Sequence, residues 1–306
     1  MILVTGGAGF IGTNLIKKLN NEGNFKIIVV DNIKKDKKNI DHLRYLDFFD
    51  KNDFLKLIEK KKFNSNIKSI IHLGACSDTT ENNWDYLKFN NIYYTKKLYE
   101  FSKLTNCQFI YASSGSIYGK MSGFSNQKKL NYRPLNLYGK SKLEIDKFFF
   151  KKSSKNVIGL RFFNVYGNYE FHKKNMSSPV SNFTRQLVKN KYCNLFSFKK
   201  NNESLRDFIY VNDAIKILNF LKVKKKKGLY NVGTGTANTF IDVANIIIKN
   251  LGYGEIRFID FPKNLNSRYQ FFTKANIIDL KRLGFRNKIK NLKQGIKSYL
   301  NESKLL

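Results

Sequence analysis

An apolar run, Met1-Ile-Leu-Val-Thr5, leads without a break into Gly6-Gly7-Ala8-Gly9-Phe10-Ile11-Gly12 and then into a helical pattern over 10–21. Few features restrict a fold more. Gly7, Gly9 and Gly12 fit G-x-G-x-x-G, and Gly6, Gly9 and Gly12 fit G-x-x-G-x-x-G. Between a strand and a helix, such glycines make the tight turn, let a pyrophosphate approach the backbone, and let helix and strand pack closely. The N–H groups and positive dipole end of the helix then face the phosphates. Asp31 closes a second apolar run nineteen residues after Gly12, where a carboxylate suits a ribose hydroxyl. A dinucleotide site at the start of the chain follows. Asp31 argues for NAD, because a 2′-phosphate would face a carboxylate. Asn32, Lys34, Lys35, Lys37, Lys38 and Lys51 could hold that phosphate instead. The residues alone leave NAD and NADP open.

The first half alternates strand-like and helical stretches. Strands are expected at 1–5, 26–31, 67–73, 108–113 and 157–163, with helices at 10–21, 51–61, 84–104 and 138–151. This alternation predicts an α/β fold: a Rossmann-type, doubly wound parallel sheet with ligands beyond the carboxyl ends of its strands. The pattern then loosens. Residues 164–175 read as a polar loop, 180–189 as a helix, 208–221 as a strand and helix, and 228–232 as a strand. A helix at 240–251, a strand at 256–261 ending at Pro262, and an amphipathic helix at 289–300 complete the chain. We expect a dinucleotide-binding domain of 1–165 plus about 207–235. A smaller, interleaved C-terminal substrate domain would take about 166–206 and 236–306.

Tyr138-Gly-Lys-Ser-Lys142 is Y-x-x-x-K. On a helix, positions i and i+4 share a face. A lysine ammonium beside a phenol stabilises phenolate and draws the tyrosine pKa down from ~10. Tyr138 could then act as a general base on a substrate hydroxyl. Ser114 and Ser116, at the end of the fourth strand, are both placed to hydrogen-bond that oxygen.

The chain carries 56 Lys+Arg against 23 Asp+Glu, a net charge of +33. Such a charge suggests nucleic acid. Here it is mostly lysine in short clusters (34–38, 60–62, 151–152, 224–227), with no zinc-finger spacing and no aromatic RNA-binding strand motif, so no nucleic-acid partner is expected. The charge would steer anions in. Cys76, Cys107 and Cys193 are odd in number and far apart, which excludes a disulfide framework and a C-x-x-C metal pair. With no apolar run of ~18 residues and no secretory pattern at the start, a cytoplasmic, membrane-free protein without a metal is expected.

Residues 5–12, Ser114-Gly-Ser-Ile-Tyr-Gly119, Tyr138-x-x-x-Lys142 and Arg161-Phe-Phe-Asn-Val-Tyr-Gly167 together resemble the extended short-chain dehydrogenases/reductases that act as nucleotide-sugar epimerases and dehydratases. Gly74-Ala-Cys-Ser-Asp-Thr-Thr-Glu81, Glu170-Phe-His-Lys173, Arg206-Asp-Phe-Ile-Tyr-Val211, Asn231-Val-Gly-Thr-Gly235 and Arg268-Tyr-Gln-x-Phe-Thr273 are similar to their ADP-heptose 6-epimerase branch over essentially the whole chain. That resemblance implies an ADP-heptose substrate, oxidised at C6 by NADP and reduced again on the other face. It implies a homo-oligomer (a pentamer in the family) and a place in heptose supply for the lipopolysaccharide core. Two acid/base groups are then needed, matched by Tyr138 and Lys173.

Carried over by position, Gly6, Gly9, Phe10, Ile11, Gly12, Asp31, Asn32, Lys38, Lys51, Leu73, Gly74, Ala75, Cys76, Ser77, Asn90, Lys142, Val165 and Lys173 would meet the cofactor. Lys38 and Lys51 would take the 2′-phosphate. Ser114, Asn164, Asn175, Asn182, Phe196, Arg206 and Tyr269 would face substrate, with the Arg206 fork suited to a pyrophosphate. The chain departs from the family pattern in Leu73 (usually Glu), Asn175 (usually Ser), Asn182 (usually His) and a longer stretch between Phe196 and Arg206. The family often has Ala at position 116, which favours Ser114 as the catalytic serine. Cys76 reads as a small packed residue. A UDP-hexose 4-epimerase would use the same Tyr138, Lys142 and Ser114 but leaves the 75–81 and 170–173 segments unexplained. A 4,6-dehydratase would need an Asp-Glu pair where Gly115 and Ser116 stand.

Overall fold

Strands made of unbroken apolar residues can be buried only when both faces of their sheet are covered. The computed structural model describes residues 1–32, 37–63, 66–120, 131–151, 156–197, 204–262 and 269–305. In chain order the elements are β1 (Ile2–Thr5), α1 (Phe10–Asn21), β2 (Ile27–Asp31), β3 (Asp47–Asp50), α2 (Lys51–Glu59), β4 (Ser69–His72), α3 (Trp84–Leu87), α4 (Tyr94–Leu104), β5 (Gln108–Ser114), α5 (Leu137–Lys151) and β6 (Val157–Phe162). Next come β7 (Asn164–Tyr166), α6 (Pro179–Asn190), β8 (Tyr192–Ser197), β9 (Leu205–Arg206), β10 (Phe208–Tyr210), α7 (Val211–Lys224) and β11 (Gly228–Val232). The chain finishes with β12 (Asn238–Thr239), α8 (Phe240–Leu251), β13 (Glu255–Asp260), α9 (Ile278–Arg282) and α10 (Leu292–Glu302).

By contacts the chain divides into two compact units. One comprises 1–114, 137–161 and 218–230, and the other 115–136, 162–217 and 231–306. Of the residues assigned by sequence to the dinucleotide-binding domain, 115–136, 162–165, 207–217 and 231–235 group with the second unit.

The seven-stranded sheet has the order β11-β6-β5-β4-β1-β2-β3. Pairings β1–β2, β2–β3, β1–β4 and β4–β5 are all parallel. The order reverses between β1 and β4, the switch point at which open α/β sheets bind ligands. β1 and β4 are buried at every position, and the apolar residues of β2 are too. Leu3, Val30, Ile70 and Phe109 from the strands pack with Phe54, Leu98, Phe101 and Phe149 from the helices. Edge-on ring pairs join the elements that cover the sheet, Phe54 of α2 to Phe63 at 4.9 Å and Tyr99 of α4 to Phe149 of α5 at 5.0 Å; such pairs add about 0.5–1.5 kcal/mol each beyond area burial.

Three expectations for this unit need correction. The helix at 84–104 is not uniform: it widens into a π turn, Lys88–Tyr93, between α3 and α4. Apolar spacing does not reveal one inserted residue. β3 adds a strand to those expected: at the sheet edge, Asp-Phe-Phe-Asp has only two apolar residues between acids and so leaves no apolar run. The fourth strand extends to Ser114.

The second unit is assembled from short strand pairs. β7 and β10 are parallel, β9 and β12 antiparallel, and β8 and β13 parallel across six residue pairs. Residues 164–175 are therefore not a plain loop; they include β7 and lead into a 3-10 turn, Phe171–Met176. β8 was also unforeseen. Its partner begins at Glu255 rather than 256. Caps fix the helix starts. Ser178 accepts from Ser181 N–H with Pro179 at N1 of α6, and Thr239–Asp242 forms a capping box on α8. A second capping box, Asn291–Gln294, starts α10 at Leu292 rather than at 289.

Within the first unit, Arg161 Nε donates to Asp146 Oδ2 at 2.7 Å with both side chains fully buried, and Tyr111 donates to Asp146 Oδ1 at 2.9 Å. Removing one partner of a buried pair strands the other charge. Arg161→Met is expected to lower the unfolding free energy by about 3–5 kcal/mol, read from the urea midpoint. His72, at the end of β4, lies 2.6 Å (Nδ1) from Thr5 Oγ1 and 2.8 Å (Nε2) from Thr95 Oγ1. Burial, helped by the charge of Lys142, pushes it down to about 3. The unfolded chain thus binds a proton that the folded chain refuses between about pH 6.5 and 3. Stability contributed by neutral His72 is present above pH 6.5 and falls by roughly 1.4 kcal/mol per unit below it. His72→Gln is expected to flatten the slope of unfolding free energy against pH between 6 and 4.

Candidate active site

In the first unit the site is built on loops that leave the carboxyl ends of β1, β2, β4 and β5. Gly6 has φ +68, and a Cβ there would stand 2.5 Å from Gly74 N. A Cβ on Gly12 would lie 2.1 Å from the Gly6 carbonyl oxygen. Only glycine permits these approaches, so the loop after β1 and the loop after β4 abut backbone to backbone. Gly9 caps α1 without a side chain, followed by buried Phe10 and half-buried Ile11. Asp31 takes the Ala8 N–H on Oδ2 (3.0 Å) and the Asn32 N–H on Oδ1 (2.8 Å). Its carboxylate thus holds the glycine loop against β2 while remaining half-buried. This tight turn, with an uncapped helix start and an acid beside it, fits a dinucleotide.

Lys51 Nζ donates to Asn90 Oδ1 at 2.6 Å, so these two predicted residues meet. Lys38 is exposed. Lys34 and Lys35 lie outside the described residues, as does the Lys37 side chain. The stretch 73–77 is anchored at both ends. Leu73 N–H donates to Thr5 O and Gly74 N–H to Thr5 Oγ1. Asn91 Oδ1 accepts from Cys76 N–H (2.8 Å), while its Nδ2 donates to Cys76 O (3.0 Å) and Ser141 Oγ (2.9 Å). Ala75 is half-buried and Ser77 exposed. Burial pushes the Cys76 thiol up, which suppresses thiolate chemistry.

Ser114 and Tyr138 come together: the Ser114 hydroxyl hydrogen-bonds the Tyr138 phenol. Ser116 lies beyond β5 on the 3-10 turn Gly115–Tyr118. The expectation that Lys142 depresses the tyrosine is corrected here. Burial raises the Tyr138 phenol, and the counteracting pull is Ser114's hydrogen bond. Lys142 Nζ instead donates to Ala112 O at 2.9 Å and stands 5.8 Å from the Tyr138 ring centroid. Burial also brings Lys142 down to about 8. The sequence reading missed Asn91, which grips the 74–77 loop and α5 together, and its neighbours Thr95, His72 and Ser141. The signal was present: two consecutive asparagines inside an apolar helical pattern, where asparagine is a poor helix former.

The second unit groups the predicted substrate residues differently. Arg206 is 7% exposed. Burial lowers its pKa, and a hydrogen bond from Arg206 to Tyr269 opposes the shift. Its guanidinium lies 5.0 Å from the Tyr269 ring centroid and 5.9 Å from that of Phe240. Phe196 meets Phe261 edge-on at 5.4 Å, and Phe261 meets Tyr269 at 5.0 Å. A cavity of about 230 Å³ opens beside Phe196, lined also by Phe240, Phe258 and Thr239. Arg206, Phe196 and Tyr269 therefore form one aromatic, cationic cluster. Residues 198–203 and Arg268 lie outside the described residues.

Lys173 is half-buried on the 3-10 turn before α6. The Asn175 side chain lies outside the described residues. Asn182 is turned inward: Nδ2 donates to Ser177 O (3.0 Å), and Oδ1 accepts from Ser177 Oγ and from Arg185. Asn164 and Val165 belong to β7, with Asn164 N–H on Asp207 O and Val165 in register with Ile209. Among the described residues no group of His, Cys, Asp or Glu is arranged to hold a metal ion, and no helix is long and apolar enough to cross a membrane.

The model of the NAD dependent epimerase/dehydratase family matches residues 2–233. ADP-L-glycero-D-manno-heptose-6-epimerase of Alkalilimnicola ehrlichii is 40% identical over 98% of this chain and 97% of its own length. The enzyme of the same name from Fusobacterium nucleatum is also 40% identical, over 98% and 97%. The crystal structure of Helicobacter pylori ADP-L-glycero-D-manno-heptose-6-epimerase superposes with a TM-score of 0.87 at 31% identity, covering 100% of this chain and 96% of that one. A glycine-loop sheet that carries Ser114, Tyr138 and Lys142, matched over nearly the full length of these relatives, belongs to the NAD dependent epimerase/dehydratase family and, within it, to the ADP-heptose 6-epimerases.

Proposed function

We propose that this chain epimerises ADP-D-glycero-D-manno-heptose at C6 to the L-glycero form by transient oxidation and re-reduction. The observation that carries the reading is the Ser114–Tyr138 hydrogen bond beside buried Lys142, on a sheet whose first loop fits a dinucleotide. The near full-length identity to enzymes of that name supports the substrate.

A nicotinamide cofactor, held by the glycine loop, Asp31, Asn32, the 73–77 stretch, Asn90 and Lys142, would supply reversible hydride acceptance at the sugar carbon. We assign it as NADP: Lys51 and Lys38 offer two ammonium groups to a 2′-phosphate. Val165 and Lys173 complete the assigned cofactor contacts. Ser114 holds the substrate oxygen, and Tyr138 serves one face, taking the hydroxyl proton when the epimer on that face is oxidised and supplying one when that epimer is formed. The high proton affinity that burial gives Tyr138 suits the donating step. Lys142 fixes the end of β5 through Ala112 O and keeps positive charge at the site below about pH 8. Lys173 is the second acid/base group, serving the other face. Arg206 with Tyr269 and Phe196 would receive the nucleotide end. Asn164, Asn175 and Asn182 are assigned to the sugar side. As the same reading has it, the enzyme works in the cytoplasm as a homo-oligomer and supplies heptose for lipopolysaccharide core.

Incubating the purified protein with ADP-D-glycero-D-manno-heptose is expected to yield a mixture of both C6 epimers by NMR, without net consumption of cofactor. No conversion, with NADP⁺ and NAD⁺ supplied, would overturn the substrate assignment. Tyr138→Phe is expected to lower turnover by about 10²–10⁴ while cofactor content, read from absorbance of the purified protein, stays at the parent level.

A further inference from the structure

The loop that carries Lys173 is organised by one carboxylate to which the reaction scheme gives no role. Glu170 is 2% exposed. Its Oε1 accepts from Gly167 N–H (3.1 Å) and Ser178 Oγ (2.7 Å), and its Oε2 accepts from Ser178 N–H (2.6 Å). Gly167 and Ser178 are the two ends of the twelve-residue stretch 167–178, so a single side chain closes it. The Glu170 carbonyl also accepts from Lys173 N–H at 3.0 Å, starting the 3-10 turn on which Lys173 sits. The conformation is not a relaxed one: Tyr169 has φ +71, in the left-handed region, and Gly167 has φ +154 with Val211 Cγ1 2.4 Å from where a Cβ would stand. Non-glycine residues rarely hold such φ values unless their surroundings over-determine them.

Electrostatics agree with the geometry. Burial pushes Glu170 up, three hydrogen bonds to it pull it down, and the Lys173 charge also pulls it down. The ammonium therefore lies within Coulomb range of the carboxylate. Tyr299, on α10, also senses the Glu170 charge. Ser178 in turn caps α6, accepting from Ser181 N–H at 3.2 Å. A purely structural need to end a loop and start a helix is met by Ser178 alone; it does not call for a buried carboxylate with a lysine three residues away.

We propose that Glu170 is the positioning residue for Lys173: its carboxylate pins both ends of the 167–178 loop and sets where the Lys173 ammonium stands. This rests on Lys173 being the second acid/base group. A displacement of about 1 Å at a reacting group costs on the order of a hundredfold in rate, so Glu170→Gln should lower kcat by about that factor. The Gln keeps the shape but sets an amide donor against a donor of Gly167 or Ser178.

A double-mutant cycle tests this on the full-length enzyme, with kcat for C6 epimerisation measured for the parent, Glu170→Gln, Lys173→Met and the pair. If Glu170 acts through Lys173, its substitution lowers kcat with KM little changed and adds nothing further once Lys173 is Met. Ser178→Ala, which removes one donor and leaves the carboxylate, should show the same non-additivity at smaller size; it keeps the test informative should Glu170→Gln not fold. Additive losses in both cycles, with Lys173→Met itself impaired, would overturn the role of Glu170 and leave that of Lys173 standing. Parent-like turnover in Lys173→Met would overturn the acid/base reading of Lys173, and the positioning role with it.

Discussion

A thread of buried hydrogen bonds runs through the first unit, and the placement of the 74–77 stretch against α5 and Tyr138 depends on it. It begins where Gly74 N–H meets Thr5 Oγ1, passes through His72 and Thr95 Oγ1, and reaches the Asn91 carbonyl. From the Asn91 amide it continues to Cys76 and to Ser141, which donates to the Tyr138 carbonyl at 2.7 Å. Each group is buried or nearly so, and leaving one of them unsatisfied would cost about 1–3 kcal/mol. Because neighbouring bonds polarise each other, the thread holds as a unit. It links the strand before the glycine loop, the 74–77 stretch and α5. Complete burial keeps His72 neutral within the thread.

The second unit reaches rigidity by another route. Its strand pairs are two to six residues long, too short to stand alone. Its buried charges carry the load instead. Asp207 accepts from Thr234, Gly235 and Ala275 N–H groups, and Glu170 gathers Gly167 and Ser178. Arg206 is enclosed by rings rather than by acids. A planar, weakly hydrated guanidinium tolerates such a place.

What the residues disclosed in advance follows the range of the interactions concerned. The sheet was legible because burial on both faces writes itself as unbroken Val and Ile runs, and the turn after β1 because only glycine fits it. Ser114, Tyr138 and Lys142 were legible for the same reason, as spacings of a few residues at a strand end and on one helix. Asn91 was not, since its partners lie fifteen and fifty positions away. β7 and β8 were hidden because two- to six-residue pairings leave no periodic trace, and β3 because its flanking residues are acids. The protonation of Tyr138 was misjudged for a related reason. Sequence spacing puts Lys142 on the right face of α5, but the carbonyl of Ala112 decides where its ammonium points.

The π turn at Lys88–Tyr93 is the means by which two consecutive asparagines both face inward, Asn90 to Lys51 and Asn91 to Cys76 and Ser141. In a regular α-helix successive side chains diverge by about 100°. One residue removed from this turn would restore the regular pitch with Thr95, Leu98 and Phe101 still on the buried face, but two adjacent positions could no longer both point inward. What the extra residue supplies is therefore a second polar anchor, Asn90 on Lys51 beside Asn91 on Cys76 and Ser141. A chain one residue shorter here would keep the core and give up one of these two anchors between the helix and the loops of the site.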